Sequence, residues 1–265
     1  MKNLKSVTGN RNIAGESRRK LSLCFYFFFC YLVLMAQETG DILTNGFQFS
    51  GTIGLNTNGI SPVPAFSLGK PAIMGFFSLR KNRFSFDPEI AYSTDGTPWF
   101  FTSCFRYRIL GKKNFSIKVA ANWNVTHSYP EVIEKGVAKT ITKAERYLVF
   151  EFIPTYKFSE KFSLGSAVFA GRGLDKGSVK QMHFISLVGN ITQLPLTEKL
   201  YCSFFPQVFY LNLDGDEDSF FVSGVAGIGH KNLPLFLSTQ VNQPIVTSIS
   251  PNPGFSWNIG MTYSF

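Results

Sequence analysis

From residue 46 to its last residue the chain repeats one pattern, a stretch of about ten residues in which every second side chain is apolar. Twelve such stretches are legible, at 46–55, 71–80, 83–92, 99–110, 115–124, 146–158, 162–172, 180–193, 200–210, 220–230, 235–241 and 255–265. A strand sends successive side chains to opposite faces, so a period of two predicts strands. In the clearest stretches one face reads Phe47, Phe49, Ile53, Leu55; Phe84, Phe86, Pro88, Ile90, Tyr92; Trp99, Phe101, Phe105, Tyr107, Ile109; and Phe115, Ile117, Val119, Ala121, Trp123. No charge falls on that face. The other carries Asp87, Glu89, Arg106, Arg108, Lys118, Asn122 and Asn124.

A soluble sandwich would alternate as well, so the choice of surroundings rests on which apolar residues are used. Large aromatics dominate nearly every strand, and Tyr92, Trp99, Tyr107, Trp123 and Trp257 supply the amphipathic rings that suit a lipid boundary. Strands that meet hydrocarbon must close on themselves, because an open edge would leave backbone groups unpaired there. The fold expected is therefore all-β, a closed antiparallel transmembrane β-barrel of about twelve strands, with ten or fourteen as the neighbouring even counts. Both termini would lie on the side of the short turns (81–82, 111–114, 159–161, 196–199, 231–234), opposite longer connections at 56–70, 93–98, 125–145, 173–179, 211–219 and 242–254.

The N terminus has a different character. Arg18, Arg19 and Lys20 precede the apolar run LSLCFYFFFCYLVLMAQ, which has the length of a signal-peptide core with its cleavage region. Residues 1–36 are read as an export signal and 37–265 as the barrel. This changes the meaning of the net charge of +9, because residues 1–36 hold six bases and one acid and leave +4 for the rest. That remainder looks modest and scattered, so a nucleic-acid partner is not implied. With 45% hydrophobic residues and 29 Phe, the 265-residue chain is too apolar for disorder.

The final stretch, WNIGMTYSF, places Trp257, Ile259, Met261, Tyr263 and Phe265 on one face and ends on an aromatic ring. With the signal segment and the parity of the strands, it resembles the outer-membrane β-barrel proteins of Gram-negative cells and their terminal assembly signal. The resemblance implies location in the cell outer membrane, contact with its lipid, and recognition of Trp257 to Phe265 by the barrel-assembly machinery. It covers the whole chain after the signal and leaves the member unspecified.

Candidate chemistry is sparse. His127, His183 and His230 fall far apart, and the offset of three between His183 and Ser186 puts them on opposite faces, so no catalytic residue is assigned. Cys104 would face inward and Cys202 outward, which leaves neither a disulfide nor a metal site, and no cofactor is implied. FDPEIAY at 86–92 echoes FFPQVFY at 204–210, with Pro88 and Pro206 expected to face lipid and Glu89 and Gln207 to face inward. The candidate lumen-lining charges are Asp87, Glu89, Arg106, Arg108, Lys118 and Glu151, either as an ion-pair lattice that fills the barrel or as a constriction that selects small solutes. The functional expectation is a non-enzymatic narrow channel or structural surface barrel. The alternatives are a lipid-modifying barrel enzyme and an accessory subunit of an envelope complex.

Overall fold

The computed structural model describes residues 46–60, 68–134, 137–250, 252 and 254–265; the segment read as an export signal lies outside them. The strands are β1 (Gln48–Asn56), β2 (Ala72–Lys81), β3 (Phe84–Ser93), β4 (Pro98–Gly111), β5 (Phe115–Ser128), β6 (Glu131–Glu134), β7 (Val137–Thr140), β8 (Lys143–Lys157), β9 (Phe162–Gly173), β10 (Met182–Pro195), β11 (Leu200–Leu213), β12 (Glu217–His230), β13 (Leu233–Thr247) and β14 (Ser256–Ser264). Twelve of them form a closed antiparallel barrel in the order β1-β14-β13-β12-β11-β10-β9-β8-β5-β4-β3-β2, while β6 and β7 make a separate hairpin. Each of the twelve alternating stretches is a barrel strand. Among the described residues no helix is long and apolar enough to cross a membrane.

The alternation has the sense expected. Phe49, Ile53, Phe105, Val208, Trp257 and Ile259 are exposed on the outside of the barrel, whereas Glu89, Arg106, Asn122, Glu151 and Gln207 are buried on the inside. Pro88 lies in the row of Phe86 and Ile90, and Pro206 in the row of Phe204 and Val208, both facing out. Each costs a ladder contact on one side only: pairing of β3 with β2 lapses between Glu89 and Phe86, and pairing of β11 with β10 lapses between Gln207 and Phe204.

Several expectations are corrected. Trp99 is buried, not at the lipid boundary, because pairing skips from Ala91–Phe100 to Tyr92–Pro98 and the resulting bulge turns the indole inward. Its ring lies where a Cβ on Gly59 would have to go, at 2.8 Å. The connection expected at 211–219 is a tight turn at 214–216, with Asp214 at φ 52° and Gly215 at φ 81°; the Asp-Gly pair was its signal. Likewise β3 and β4 run to 93 and 98, leaving four residues between them. His127 belongs to β5 instead of a loop, and the 125–145 connection contains the β6–β7 hairpin.

The packed interior also removes an asymmetry that an open lumen would give. Asn122 is 1% exposed and donates to Glu151, so an arginine there would not be tolerated better than one facing lipid. The comparison belongs at the wider turn end, where Ser116 is half-buried on the inner face. Val119→Arg is expected to cost roughly 2–4 kcal/mol and Ser116→Arg much less, read as urea midpoints of the refolded barrel. Equal midpoints would contradict the face assignment.

Candidate functional site in the barrel interior

The interior has three zones along the axis. At the turn end Thr52, Ser116, Arg108 and Lys118 are half-buried on the inner face, and Arg108 and Lys118 are register partners on β4 and β5. This half-buried end is termed the vestibule.

Beyond it lies a layer of charge. Arg106 on β4 stands between Asp87 on β3 and Glu151 on β8, bonding Asp87 through Nη1 and lying 3.4 Å from Glu151 Oε2 through Nη2. Asp87 also accepts from Ser78 Oγ at 2.6 Å and from Ser85 Oγ at 2.9 Å, and Glu151 accepts from Asn122 Nδ2. Glu89 is buried one inward position further along β3, in register with Phe76 and Thr102. The six charges singled out in the sequence thus divide in two: Asp87, Arg106 and Glu151 form one bonded cluster beside Glu89, while Arg108 and Lys118 stand in the vestibule. Cys104 is buried beside the cluster and Cys202 lies in the outward row of Phe204, so the two cysteines are free and separate.

The loop half of the interior is apolar on one wall. Phe169, Phe184, Phe209 and Phe221, on the consecutive strands β9 to β12, make a continuous ladder of rings with centroids 5.2, 5.3 and 4.7 Å apart. Leu211, Leu213, Val149 and Ile153 extend it, and Val179 and Ile249 from the connections cap it. This layer was missed in the sequence, although the signal was there: β10 and β11 are apolar at both parities over FIS and VFYLNL, so a second buried face was written into the strands.

Beside the ladder runs a polar lane. Gln207, Ser223, Asn242 and Ser256 are register partners across β11, β12, β13 and β14, and Gln240 lies in the next row with Asn258. Both amide atoms of Gln207 and of Asn242, with Gln240 Nε2 and Ser256 Oγ, are buried without a hydrogen-bond partner among the described residues. Uncharged hydrogen-bonding groups therefore lie alongside an aromatic wall.

The histidines do not meet the serines nearest to them in sequence. His183 is exposed on the outer face of β10 while Ser186 is buried on the inner one, and Ser178 donates to the Asp175 carbonyl in the connection that precedes β10. His127 and His230 sit at opposite ends of their strands' runs, on β5 near the loops and on β12 at the turn.

No family model matches the chain, and no curated protein matches it in sequence. Solved structures match its fold: the KdgM porin in complex with disordered oligogalacturonate aligns with a TM-score of 0.54 at 8% identity, over 82% of this chain and 99% of that one. The KdgM porin alone gives 0.53 at 9% identity with the same coverage. The fold is that of a porin barrel. The NanC porin aligns over 82% of this chain and 99% of its own at 8% identity, with a TM-score of 0.47. At such identities the likeness to the KdgM porin carries the fold alone; the strand count and the interior chemistry are read from this chain's own residues.

Proposed function

We propose that the protein is a non-enzymatic barrel of the Gram-negative outer membrane that acts as a narrow, porin-like channel for small solutes, wide at the turn end and throttled by the phenylalanine ladder in its loop half. The observation that supports this reading is the polar lane. A buried polar group without a partner costs about 1–3 kcal/mol, and Gln207, Gln240, Asn242 and Ser256 leave six such atoms within two adjacent rows. Water entering from the vestibule would satisfy them, since a buried water bonds about three polar groups at once. A barrel kept only as a scaffold gains nothing from these amides. The Asp87–Arg106–Glu151 cluster, two acids on one base, would then hold β3, β4, β5 and β8 in place beside the lane and border it with net negative charge.

A filled structural barrel is the second reading, favoured by the 1% exposure of Phe169, Phe209 and Phe221. Planar-bilayer recording separates the two. The refolded protein is expected to show small, discrete conductance steps, enlarged several-fold by the double change Phe209→Ala and Phe221→Ala and reduced by Gln207→Leu with Asn242→Leu. Silence in both the parent and the alanine variant would establish the filled barrel. A lipid-hydrolysis assay on the same sample is expected to show no product, in line with the opposed faces of His183 and Ser186.

A further inference from the structure

The charge that looked scattered along the sequence is gathered at one end of the molecule. Lys81 and Arg83 flank the first turn, Lys112 and Lys113 make the second, Lys157 and Lys161 bracket the third, and Lys199 and Lys231 stand on the fourth and fifth. Only Glu160 and Glu198 oppose them there. All but the half-buried Lys157 are exposed, and among the described residues no salt bridge reaches any of the eight. The loop end is built differently. Among the described residues four of its bases pair with acids, Lys70 with Asp95 at 2.8 Å, Lys139 with Glu134 at 3.7 Å, Arg146 with Asp175 at 2.6 Å and Lys143 with Glu145, and Asp214, Asp216, Glu217 and Asp218 add negative charge around the β11–β12 turn. The Lys70 bond, with Thr97, holds the Asp95 carboxyl below the usual carboxylate range.

The position of the turn-end bases matters as much as their number. They follow directly on outward apolar residues, Phe84, Phe158, Phe162, Leu196, Leu200 and Leu233, which are exposed at the edge of the lipid-facing band. Lys81 Nζ lies 4.9 Å from the centre of the Phe47 ring, its stem along the apolar surface and its charge at the rim. A ring of cationic groups without acid partners among the described residues, at the level where hydrocarbon gives way to headgroups, meets one chemistry in a bilayer, the phosphodiester anion.

We infer that the turn end is a docking ring for anionic phospholipid headgroups of the leaflet on that side, with about one headgroup site at each turn. The inference rests on the outer face being lipid-facing, and on nothing about the lumen. Anchoring by the ring would fix the depth and tilt of the barrel and distinguish its two ends, since among the described residues the loop end sets acids beside most of its bases.

The test uses the mature barrel refolded into phosphatidylcholine vesicles that contain a minority of spin-labelled lipid. Motionally restricted phosphatidylglycerol is expected to exceed restricted phosphatidylcholine several-fold at low salt and to lose most of that preference at high salt. The variant Lys112→Gln, Lys113→Gln, Lys161→Gln, Lys199→Gln, Lys231→Gln should bring the ratio to about one, while Lys176→Gln with Lys180→Gln at the loop end leaves it unchanged. Heat-modifiable gel mobility confirms folding of each sample, and a folded ring variant that keeps the parent's preference would overturn the proposal. So would a parent barrel with no preference, or one whose preference moves with the loop-end pair. Loss of channel conductance without loss of lipid preference would count against the proposed function alone.

Discussion

Arg106→Met is expected to destabilise the refolded barrel by roughly 3–5 kcal/mol, because it leaves two carboxylates buried without their cation. Arg106 is almost fully buried, and its guanidinium is shared by Asp87 and Glu151 from strands on either side. Removing it does not free the acids to find water. Asp87 keeps Ser78 and Ser85 as donors and Glu151 keeps Asn122, but neutral donors offset only part of the cost of a buried negative charge. The triple change Arg106→Met, Asp87→Asn, Glu151→Gln should recover most of the loss, since an uncharged interior has no ion to desolvate. Urea midpoints of the three proteins, read by gel mobility, check this. A single variant as stable as the parent would mean that water already reaches the carboxylates, and the charged layer would then border an open passage.

The legible part of this molecule was the part ruled by one period. Phe49, Phe105, Val208 and Trp257 against Glu89, Asn122 and Gln207 obey the alternation because lipid on one side and a polar interior on the other impose it wherever the inner face is polar. The same rule puts the six candidate charges on the inner face, since a charge on a barrel strand has only one face to occupy. What parity does not report is distance across the barrel or height along its axis. It could not place Asp87, Arg106 and Glu151 in one cluster and Arg108 and Lys118 nearer the mouth, because those relations depend on register between strands far apart in sequence. The phenylalanine ladder was hidden for a related reason: Phe184 and Phe209 occupy inward positions, and inward had been equated with polar. Trp99 failed through a single-residue bulge, which reverses parity locally and leaves no mark in composition. The basic ring escaped notice because its members lie in five separate turns, and only closure of the barrel brings those turns to one rim.

Phe265→Asp is expected to abolish most of the assembled, heat-modifiable barrel in the outer membrane while leaving export of the precursor intact. Closure depends on this last residue. Phe265 N donates to the Gly51 carbonyl and Gly51 N donates to the Phe265 carbonyl, each at 2.9 Å, so the final residue completes the seam between β14 and β1. Its ring fills the space over Gly51, where a Cβ would come within 2.6 Å of it, and packs beside Phe49 and Phe77 with centroids 6.0 and 6.4 Å away. A carboxylate there would sit among those rings at the membrane boundary. Deleting the residue would remove the ring and both seam bonds, opening an edge that hydrocarbon does not accommodate. Two further changes distinguish loss of the seam from loss of a recognised signal. Phe265→Trp keeps an aromatic end and the backbone bonds and should assemble, whereas Gly51→Ala leaves the terminal residues untouched but displaces the ring, and should lower the folded fraction by a smaller amount. If Gly51→Ala assembles normally while Phe265→Asp does not, the terminal ring acts through the assembly machinery alone. Normal levels of folded, membrane-extracted Phe265→Asp would show that the seam closes without it, and that the alternating stripe from Trp257 to Tyr263 holds β14 in the barrel on its own.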